Sequence, residues 1–345
     1  MNSILIIRPS AIGDIVMASP MIRVLREAYP QSHIAWLIEP SAQDLLRHNT
    51  GLNELIYWPK SQWKNLLKQR RFLLLRSEIK KFTLQLRLRE FDLALDVQGL
   101  FRSRWLAWLS GAGERIGFES KEPGRFFMTR IASRGHHTGM MGSEYHYMMQ
   151  EIGLTPGDFH PEIVLSPEDE KAGDAMIKAL SIGDNYAVFA PFTTRPQKHW
   201  VEDCWIDLAG LIRKHFDLPV ILLGGQGDLE QARTIEMKAH KNLFSLAGKT
   251  TLGQGAAIIR RSSLLVGVDT GLTHMGAAFD CPTVALFGAT CPYLYTSGHK
   301  TIVIYNRMSC SPCRRSPVCN NDFTCMKSIK PEDVLDKAIK LLEAY

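Results

Sequence analysis

Two strand–turn–helix signatures, one near each end of the chain, constrain the fold more than any other feature. The first is Arg8-Pro9-Ser10-Ala11-Ile12-Gly13-Asp14, after the apolar run 4–7, and the second is Val268-Asp269-Thr270-Gly271-Leu272-Thr273-His274, after the apolar run 264–266. In open α/β sheets, ligands bind where strands feed the N-termini of such helices. We therefore expect an α/β protein of two Rossmann-like domains facing a central cleft, which suits a two-substrate transferase.

The apolar pattern between these signatures predicts more of the same architecture. Further runs typical of buried parallel strands lie at 33–38, 91–97, 186–190, 219–223 and 282–287. A helix is expected over 15–28, and the glycine-rich stretch 111–146 predicts long loops. The chain thus alternates strands and helices in both halves.

The length favours two domains, because 345 residues exceed what one hydrophobic core usually supports. Pro, Gly and acidic residues cluster at 156–167 and mark the boundary. We predict one domain over 1–160, a second over 161–330, and a helix over 331–345 that could cross back to the first.

Composition and hydropathy predict a cytoplasmic protein without a membrane span. Hydrophobic residues make up 45% of the chain and charged residues 22%, and no uninterrupted apolar run reaches the length of a spanning helix. The first residues have no basic segment ahead of a long apolar core, so they do not resemble a signal peptide.

One segment carries much of the net charge of +6. Residues 60–89 contain ten Lys or Arg and the single acid Glu78, with large apolar residues interleaved. This pattern is typical of a basic amphipathic helix at a membrane surface or against an anionic saccharide or lipid. The alternative is a solvated helix packed on its own domain. No recognised nucleic-acid-binding module accompanies the charge, so no nucleic-acid partner is expected.

The first signature offers a candidate general base. Asp14 lies at the entrance of the predicted helix, where Ser10 and Gly13 form the acceptor-side loop. A carboxylate there could take the proton from an attacking hydroxyl. The alternative is a first-turn residue favoured only by the helix dipole.

The second half offers candidate donor-binding residues in two places. Thr193, Thr194 and Lys198 follow a predicted strand and suit a diphosphate, although an exposed basic loop is the alternative. Asp269, Thr270, Gly271 and His274 form the second group. Asp269 reads as an N-cap, but an N-cap alone does not explain Gly271 and His274.

Four cysteines near the C-terminus raise the question of a metal. Cys310, Cys313, Cys319 and Cys325 are spaced in a way that allows a structural zinc site, with reduced structural thiols or a redox-sensitive loop as alternatives. No Asp-x-Asp triplet occurs, so no metal is expected at the diphosphate, whose charge Lys198, Arg195 and helix N-termini would neutralise.

Taken together, these motifs resemble the lipopolysaccharide heptosyltransferases, the ADP-heptose-dependent glycosyltransferases of family 9. The resemblance rests on Ile6 to Asp14, on Thr193-Thr194-Arg195 followed by Lys198-His199-Trp200, on Leu246 to Leu252, and on Val268 to His274 with Phe287-Gly288-Ala289-Thr290. The loop Gly224 to Asp228 departs from it, because members often carry a Glu there for the nucleotide ribose.

The resemblance implies a GT-B fold with the acceptor on the N-terminal domain and ADP-heptose on the C-terminal one. It implies inverting, metal-independent transfer to an anionic inner-core glycolipid, Kdo-lipid A or heptosyl-Kdo-lipid A, by a peripheral protein at the cytoplasmic face of the inner membrane. Asp14 would be the base; Thr194 and Lys198 would hold the diphosphate, and Asp269, Thr270 and Gly271 would contact phosphate and sugar. The alternatives are a transferase or epimerase for another nucleotide sugar, or a non-catalytic binding protein.

Overall fold

The computed structural model describes residues 1–135, 139–290, 292–293, 295–296, 300–313 and 316–344. The chain divides into two compact units. The first comprises 1–138 with 142–159, and the second comprises 139–141 with 160–345. Each unit is built around one six-stranded sheet in which every strand pair is parallel.

The first unit contains six strands and six helices among its described residues. The strands are β1 (Ser3–Ile7), β2 (His33–Ile38), β3 (Glu54–Tyr57), β4 (Leu93–Asp96), β5 (Glu114–Phe118) and β6 (Arg130–Ala132). The helices are α1 (Ile12–Ala18), α2 (Pro20–Ala28), α3 (Lys60–Lys68), α4 (Phe72–Arg87), α5 (Phe101–Ser110) and α6 (Ser143–Glu151). The strand order is β3-β2-β1-β4-β5-β6.

The second unit repeats this plan with its own sheet. Its strands are β7 (Ala187–Ala190), β8 (Val220–Leu222), β9 (Leu243–Ser245), β10 (Leu264–Val268), β11 (Thr283–Phe287) and β12 (Thr301–Tyr305). Its helices are α7 (Pro167–Ala179), α8 (Glu202–Phe216), α9 (Leu229–Ala239), α10 (Leu252–Arg261), α11 (Gly271–Ala278), α12 (Thr324–Lys327) and α13 (Pro331–Glu343). The order β12-β11-β10-β7-β8-β9 is the order of the first sheet read from the other edge.

This strand order is that of a Rossmann fold, which confirms the predicted α/β class with two Rossmann-like units. In such a sheet the order reverses at one point, between β1 and β4 in the first unit and between β7 and β10 in the second. Ligands bind beyond the carboxyl ends of the strands at that point. Each of the two signatures follows one of these central strands.

Buried apolar strands explain why the sequence forms these sheets. All residues of β1 and β10 are buried, and helices cover their side chains. Close packing of α11 on β10 requires glycine, because a Cβ at Gly276 would lie 2.3 Å from Leu265 Cδ2, and one at Gly267 would lie 2.1 Å from Thr273 Oγ1. These glycines let α11 approach β10, the strand that Asp269 directly follows.

Three expectations need correction. The helix expected over 15–28 is two helices, because Ser19 ends α1 and Pro20, which has no N–H to donate, begins α2. The stretch 111–146 is not a run of loops, since β5, β6 and the start of α6 lie in it; residues 136–138 are outside the described part.

The C-terminal helix was the third expectation. The structure assigns α13 to the second unit, whereas the sequence allowed a return to the first. Its buried side, with Val334, Ala338 and Leu341, packs into the core of the second unit against α8 and β11. No described helix is both long enough and apolar enough to span a membrane.

Candidate active site

The central strands of the first sheet bring two polar segments together. Ile7 at the end of β1 pairs with Asp96 at the end of β4, so the residues that follow both strands lie side by side. Arg8 Nη1 donates a 2.8 Å hydrogen bond to the carbonyl oxygen of Val97, and the indole of Trp36 donates to the carbonyl oxygen of Arg8 at 3.1 Å. The position of Arg8 is therefore fixed by the backbone that follows β4 and by the indole of Trp36 on β2.

The buried guanidinium of Arg8 forms an ion pair with Asp14. The Arg8 side chain is 7% exposed and the Asp14 side chain 37% exposed, so the pair is closed on the arginine side and open on the carboxylate side. Burial alone would lower the pKa of Arg8, but Tyr145, Asp14 and Glu144 raise it above its ordinary value. A permanently cationic group thus fixes the position of a carboxylate that is partly open to solvent.

The other two predicted residues of this loop, Ser10 and Gly13, contribute through their backbone and not through a side chain. Ser10 offers its carbonyl oxygen to Gln98 Nε2 at 2.8 Å, which ties the loop to the segment after β4. Gly13 is buried in the first turn of α1, one residue before Asp14. The structure therefore brings Ser10, Gly13 and Asp14 together at the carboxyl edge of the sheet.

Several residues near Asp14 escaped the sequence analysis. Arg134 forms an ion pair with Glu144, lies 4.6 Å from the ring centroid of Phe118, and donates to Gln98 O at 3.3 Å. Tyr145 lies under Arg8, and its buried hydroxyl has no partner among the described residues. These residues come from distant parts of the chain, and no local pattern distinguishes them from ordinary surface or core residues.

The second sheet presents an ion-pair network at the corresponding point. Lys198 Nζ lies 2.5 Å from Asp269 Oδ2, His274 Nε2 lies 3.1 Å from Asp269 Oδ1, and Thr290 Oγ1 donates to Asp269 Oδ2 at 2.6 Å. The Lys198, Asp269 and His274 side chains are all largely buried. Two segments that the sequence analysis named separately thus converge on one carboxylate.

The charge state of Asp269 follows from this network. Burial by itself would raise its pKa, but the hydrogen bond and charge of His274, together with the charge of Lys198, lower it well below the ordinary value of 3.8. The carboxylate therefore stays ionised and keeps the Lys198 ammonium in place. His274 Nδ1 is buried without a hydrogen-bond partner among the described residues.

The expectation that Asp269 caps a helix was wrong. The N-cap of α11 is Thr270, and Gly271 is its first residue. The Asp269 side chain turns instead to Lys198 and His274, because a buried carboxylate gains more from an ammonium and an imidazole partner than from one backbone N–H.

The remaining predicted donor residues border the network without joining it. Thr193 is half-buried, and its carbonyl oxygen lies 2.8 Å from His199 Nε2. Thr194 is exposed.

Trp200 lies in the core, and its indole donates a hydrogen bond to the carbonyl oxygen of Ile329 at 3.0 Å. In the loop Gly224 to Asp228, one carboxylate oxygen of Asp228 accepts from the Gly225 N–H at 2.7 Å and so serves the turn itself.

The four C-terminal cysteines lie in the second unit and differ in burial. Cys325 lies in the apolar core, whereas Cys310, Cys313 and Cys319 are half-buried. No group of three or more His, Cys, Asp or Glu side chains in the described part of the chain has the geometry to hold a metal ion. Burial raises the pKa of the Cys313 and Cys325 thiols, and the neighbouring cysteines raise it in the same direction.

Comparison with known proteins agrees with the geometry. A family model described as glycosyltransferase family 9 (heptosyltransferase) matches residues 79–323. The chain belongs to glycosyltransferase family 9. This enzyme is therefore a glycosyltransferase, as the motifs predicted, and both polar sites lie where a Rossmann-like unit binds its ligands.

Curated relatives cover most of the chain at low identity. Lipopolysaccharide heptosyltransferase 2 of Escherichia coli is 26% identical, with 98% of each chain covered. The lipopolysaccharide core heptosyltransferase OpsX of Haemophilus influenzae is 24% identical over 85% of this chain and 82% of that protein.

Solved structures share the fold. The family 9 glycosyltransferase of Veillonella parvula has a TM-score of 0.85 at 22% identity, covering 100% of this chain and 98% of that one. The E. coli heptosyltransferase WaaC with ADP-2-deoxy-2-fluoro heptose has a TM-score of 0.72 at 22% identity, covering 98% and 99%. These matches confirm the predicted GT-B fold class.

Proposed function

We propose that this enzyme transfers heptose from ADP-heptose to the inner core of lipopolysaccharide, with inversion and without a metal ion. The observation that carries the proposal is Asp14, a partly exposed carboxylate held by a buried arginine at the ligand-binding edge of the first sheet. The names of the relatives supply the sugar and the acceptor class, and the WaaC complex with an ADP-heptose analogue supplies the nucleotide.

In the proposed reaction, Asp14 takes the proton from an acceptor hydroxyl as its oxygen attacks the anomeric carbon of the heptose. The bond from that carbon to the ADP oxygen breaks, and ADP leaves from the opposite face, which inverts the configuration. Lys198 is the cation best placed on the second unit to meet the negative charge of the departing diphosphate. Thr193, Thr194, Thr270 and Gly271 supply hydroxyl and backbone N–H donors around it.

Because the acceptor is an anionic glycolipid, Kdo-lipid A or heptosyl-Kdo-lipid A, the proposed place of action is the cytoplasmic face of the inner membrane. No cofactor is assigned to the reaction. The charge on the diphosphate is met by Lys198 and the donors around it, which is why transfer should continue when divalent ions are chelated.

The test is acceptor-dependent ADP release from ADP-heptose in EDTA, with the two acceptors assayed side by side. Asp14→Asn should lower kcat by about 100-fold or more and leave ADP-heptose binding nearly unchanged. Glu114→Gln is the matched control, because Glu114 is an exposed carboxylate at the amino end of β5, on the opposite edge of the same sheet. Full activity of Asp14→Asn would remove Asp14 from the mechanism, and no release with either acceptor would redirect the search to another donor sugar.

A further inference from the structure

Helices α3 and α4 have an apolar side that the core does not cover. Trp63 and Leu66 of α3 and Phe82 and Leu86 of α4 are buried in the core of the first unit. The opposite sides of both helices face solvent, although they also carry large apolar residues. The pair is therefore apolar on two sides, of which folding buries only one.

The uncovered apolar residues concentrate at the turn between the two helices. Phe72 is 58% exposed and Leu73 is 86% exposed, and Leu67 and Leu74 beside them are also exposed. Arg70, Arg71, Phe72, Leu73 and Leu74 line an open groove of about 310 Å³ at this turn. A monomeric protein rarely leaves so many large apolar side chains together in water without using them.

The exposed side of α4 continues the same composition along the helix. Leu73, Arg76, Lys80, Leu84 and Leu88 are spaced by three or four residues, which places them on one side, and all five are exposed. Three leucines and two basic residues thus share a single exposed stripe that runs from the start of α4 to Leu88, the residue after its end.

The cations of this surface are mostly unpaired. Of the ten Lys and Arg residues in 60–89, Lys60 pairs with Glu39, Lys81 with Glu78 and Arg89 with Glu54. The other seven form no ion pair with a described carboxylate, namely Lys64, Lys68, Arg70, Arg71, Arg76, Lys80 and Arg87. A protein partner of matching shape would need a dense acidic patch, whereas an anionic bilayer supplies negative charge over any area and an apolar interior beneath it.

We propose that the α3–α4 turn is a membrane anchor, with Phe72 and Leu73 inserted among the lipid chains of an anionic bilayer and the surrounding Lys and Arg residues on its headgroups. This inference rests on the proposed function in one respect, which is that the acceptor lies in a membrane. Insertion at this turn would hold the first unit, which carries Asp14, at the surface where the acceptor sugar is displayed.

The direct test is sedimentation of the full chain with sucrose-loaded vesicles. Vesicles of phosphatidylglycerol and phosphatidylcholine in equal parts should bind the protein, and vesicles of phosphatidylcholine alone should not. The double variant Phe72→Ser with Leu73→Ser should weaken binding by about tenfold or more, because both side chains lose their place in the bilayer. Arg70→Gln with Arg71→Gln should also weaken binding to anionic vesicles, and its difference from the wild type should shrink as salt is added.

The matched control is Arg233→Gln with Met237→Ser on α9, which removes one exposed cation and one exposed apolar side chain from a helix of the second unit. Its binding should equal that of the wild type. Failure of the wild type to bind anionic vesicles, or unchanged binding of the Phe72 and Leu73 variant, would overturn the proposal. A competition experiment could also overturn it. If double-stranded DNA displaced the protein from the sucrose-loaded vesicles as well as unloaded anionic vesicles do, binding would be driven by charge without insertion.

A second arm separates this proposal from the proposed function. The Phe72 and Leu73 variant should keep wild-type activity on a deacylated, water-soluble acceptor and lose about tenfold on the same acceptor in vesicles. Equal losses on both acceptors would assign these residues to the reaction and overturn the anchor. Absence of transfer to either acceptor by the wild type would count against the proposed function alone, because vesicle binding is measured without substrate.

Discussion

Arg8 holds Asp14 across the turn between β1 and α1, with the guanidinium buried and the carboxylate partly open to solvent. Both residues belong to one seven-residue signature, yet the contact between them depends on how the turn folds. Arg8 is in addition anchored to Val97 O on the neighbouring strand segment. The candidate base is therefore positioned by the sheet and not by the short helix α1 alone.

Replacement of Arg8 should affect turnover more than donor binding. Arg8→Lys keeps the charge but cannot reach Asp14 and Val97 O with the same planar geometry, so we expect kcat to fall by about tenfold with little change in KM for ADP-heptose. Arg104→Lys is the control, because Arg104 is equally buried in the same unit and donates to Phe118 O at 2.8 Å, away from Asp14. Equal kcat losses in the two variants would indicate a general structural effect.

The ammonium of Lys198 should bind the diphosphate. Lys198→Ala is expected to weaken binding of ADP and ADP-heptose by about tenfold or more, and the difference from wild type should shrink as salt is raised. Isothermal titration calorimetry at two salt concentrations measures this. Lys238→Ala, which removes a surface cation paired with Glu202, should bind as the wild type does. Unaltered affinity of the Lys198 variant would exclude the phosphate role.

Asp269 should make stability depend on pH in the acid range. Its folded pKa lies below the ordinary value of 3.8, so its contribution is complete above that pH and is lost as the pH falls below it. Urea unfolding from about pH 6 to pH 3 should show wild type losing about 1 kcal/mol more than Asp269→Asn. Parallel losses in the two proteins would show that this carboxylate does not drive the effect.

Two glycines at the ends of α6, Gly142 and Gly153, allow the cost of a steric clash to be separated from the cost of a left-handed backbone. Both have positive φ, but a Cβ at Gly142 would lie 2.8 Å from the carbonyl oxygen of Met17, whereas one at Gly153 meets nothing within 4 Å. Gly153→Ala should cost about 1 kcal/mol for the left-handed backbone, and Gly142→Ala about 2–4 kcal/mol because the clash adds to that cost. Chemical denaturation of both variants tests the difference, and equal costs would contradict the clash.

The cysteine arrangement predicts that zinc does not support the fold. Dialysis against EDTA should leave the thermal midpoint unchanged, and the purified protein should contain much less than one zinc ion per chain. Metal analysis and a thermal scan before and after dialysis measure both quantities. A midpoint lowered by EDTA and restored by zinc would show that the thiols gather around a metal.

Continuous apolar runs made the central strands predictable. Residues 4–7 and 264–268 are apolar throughout because helices cover both faces of a parallel sheet. The strands that escaped prediction carry polar residues or are short. Glu114 and Arg115 open β5, and β6 at one edge of the sheet is only three residues long. Such segments become strands because a neighbouring strand offers hydrogen bonds, which the local sequence does not show.

Some residues of the candidate site could likewise be predicted from the sequence, and others could not. Asp14 and Asp269 could be found because each follows a recognisable strand and precedes a glycine-containing or helical turn. Their partners could not be paired with them from sequence. Lys198 and Asp269 are separated by 71 residues, and Gln98 and Ser10 by 88, so their contacts depend on the strand order that places β7 beside β10 and β4 beside β1.

The indole of Trp200 connects the loop that contains Lys198 to the C-terminal segment of the second unit, because it donates a hydrogen bond to the carbonyl oxygen of Ile329. Trp200 lies two residues after Lys198, and its partner Ile329 lies two residues before α13, which packs on α8. Helix α13 is therefore part of the packing that supports the loop on which Lys198 lies. We expect a substitution on the buried side of α13 to weaken the proposed binding of ADP-heptose from a distance, so any fusion at that end should be designed to keep this packing intact.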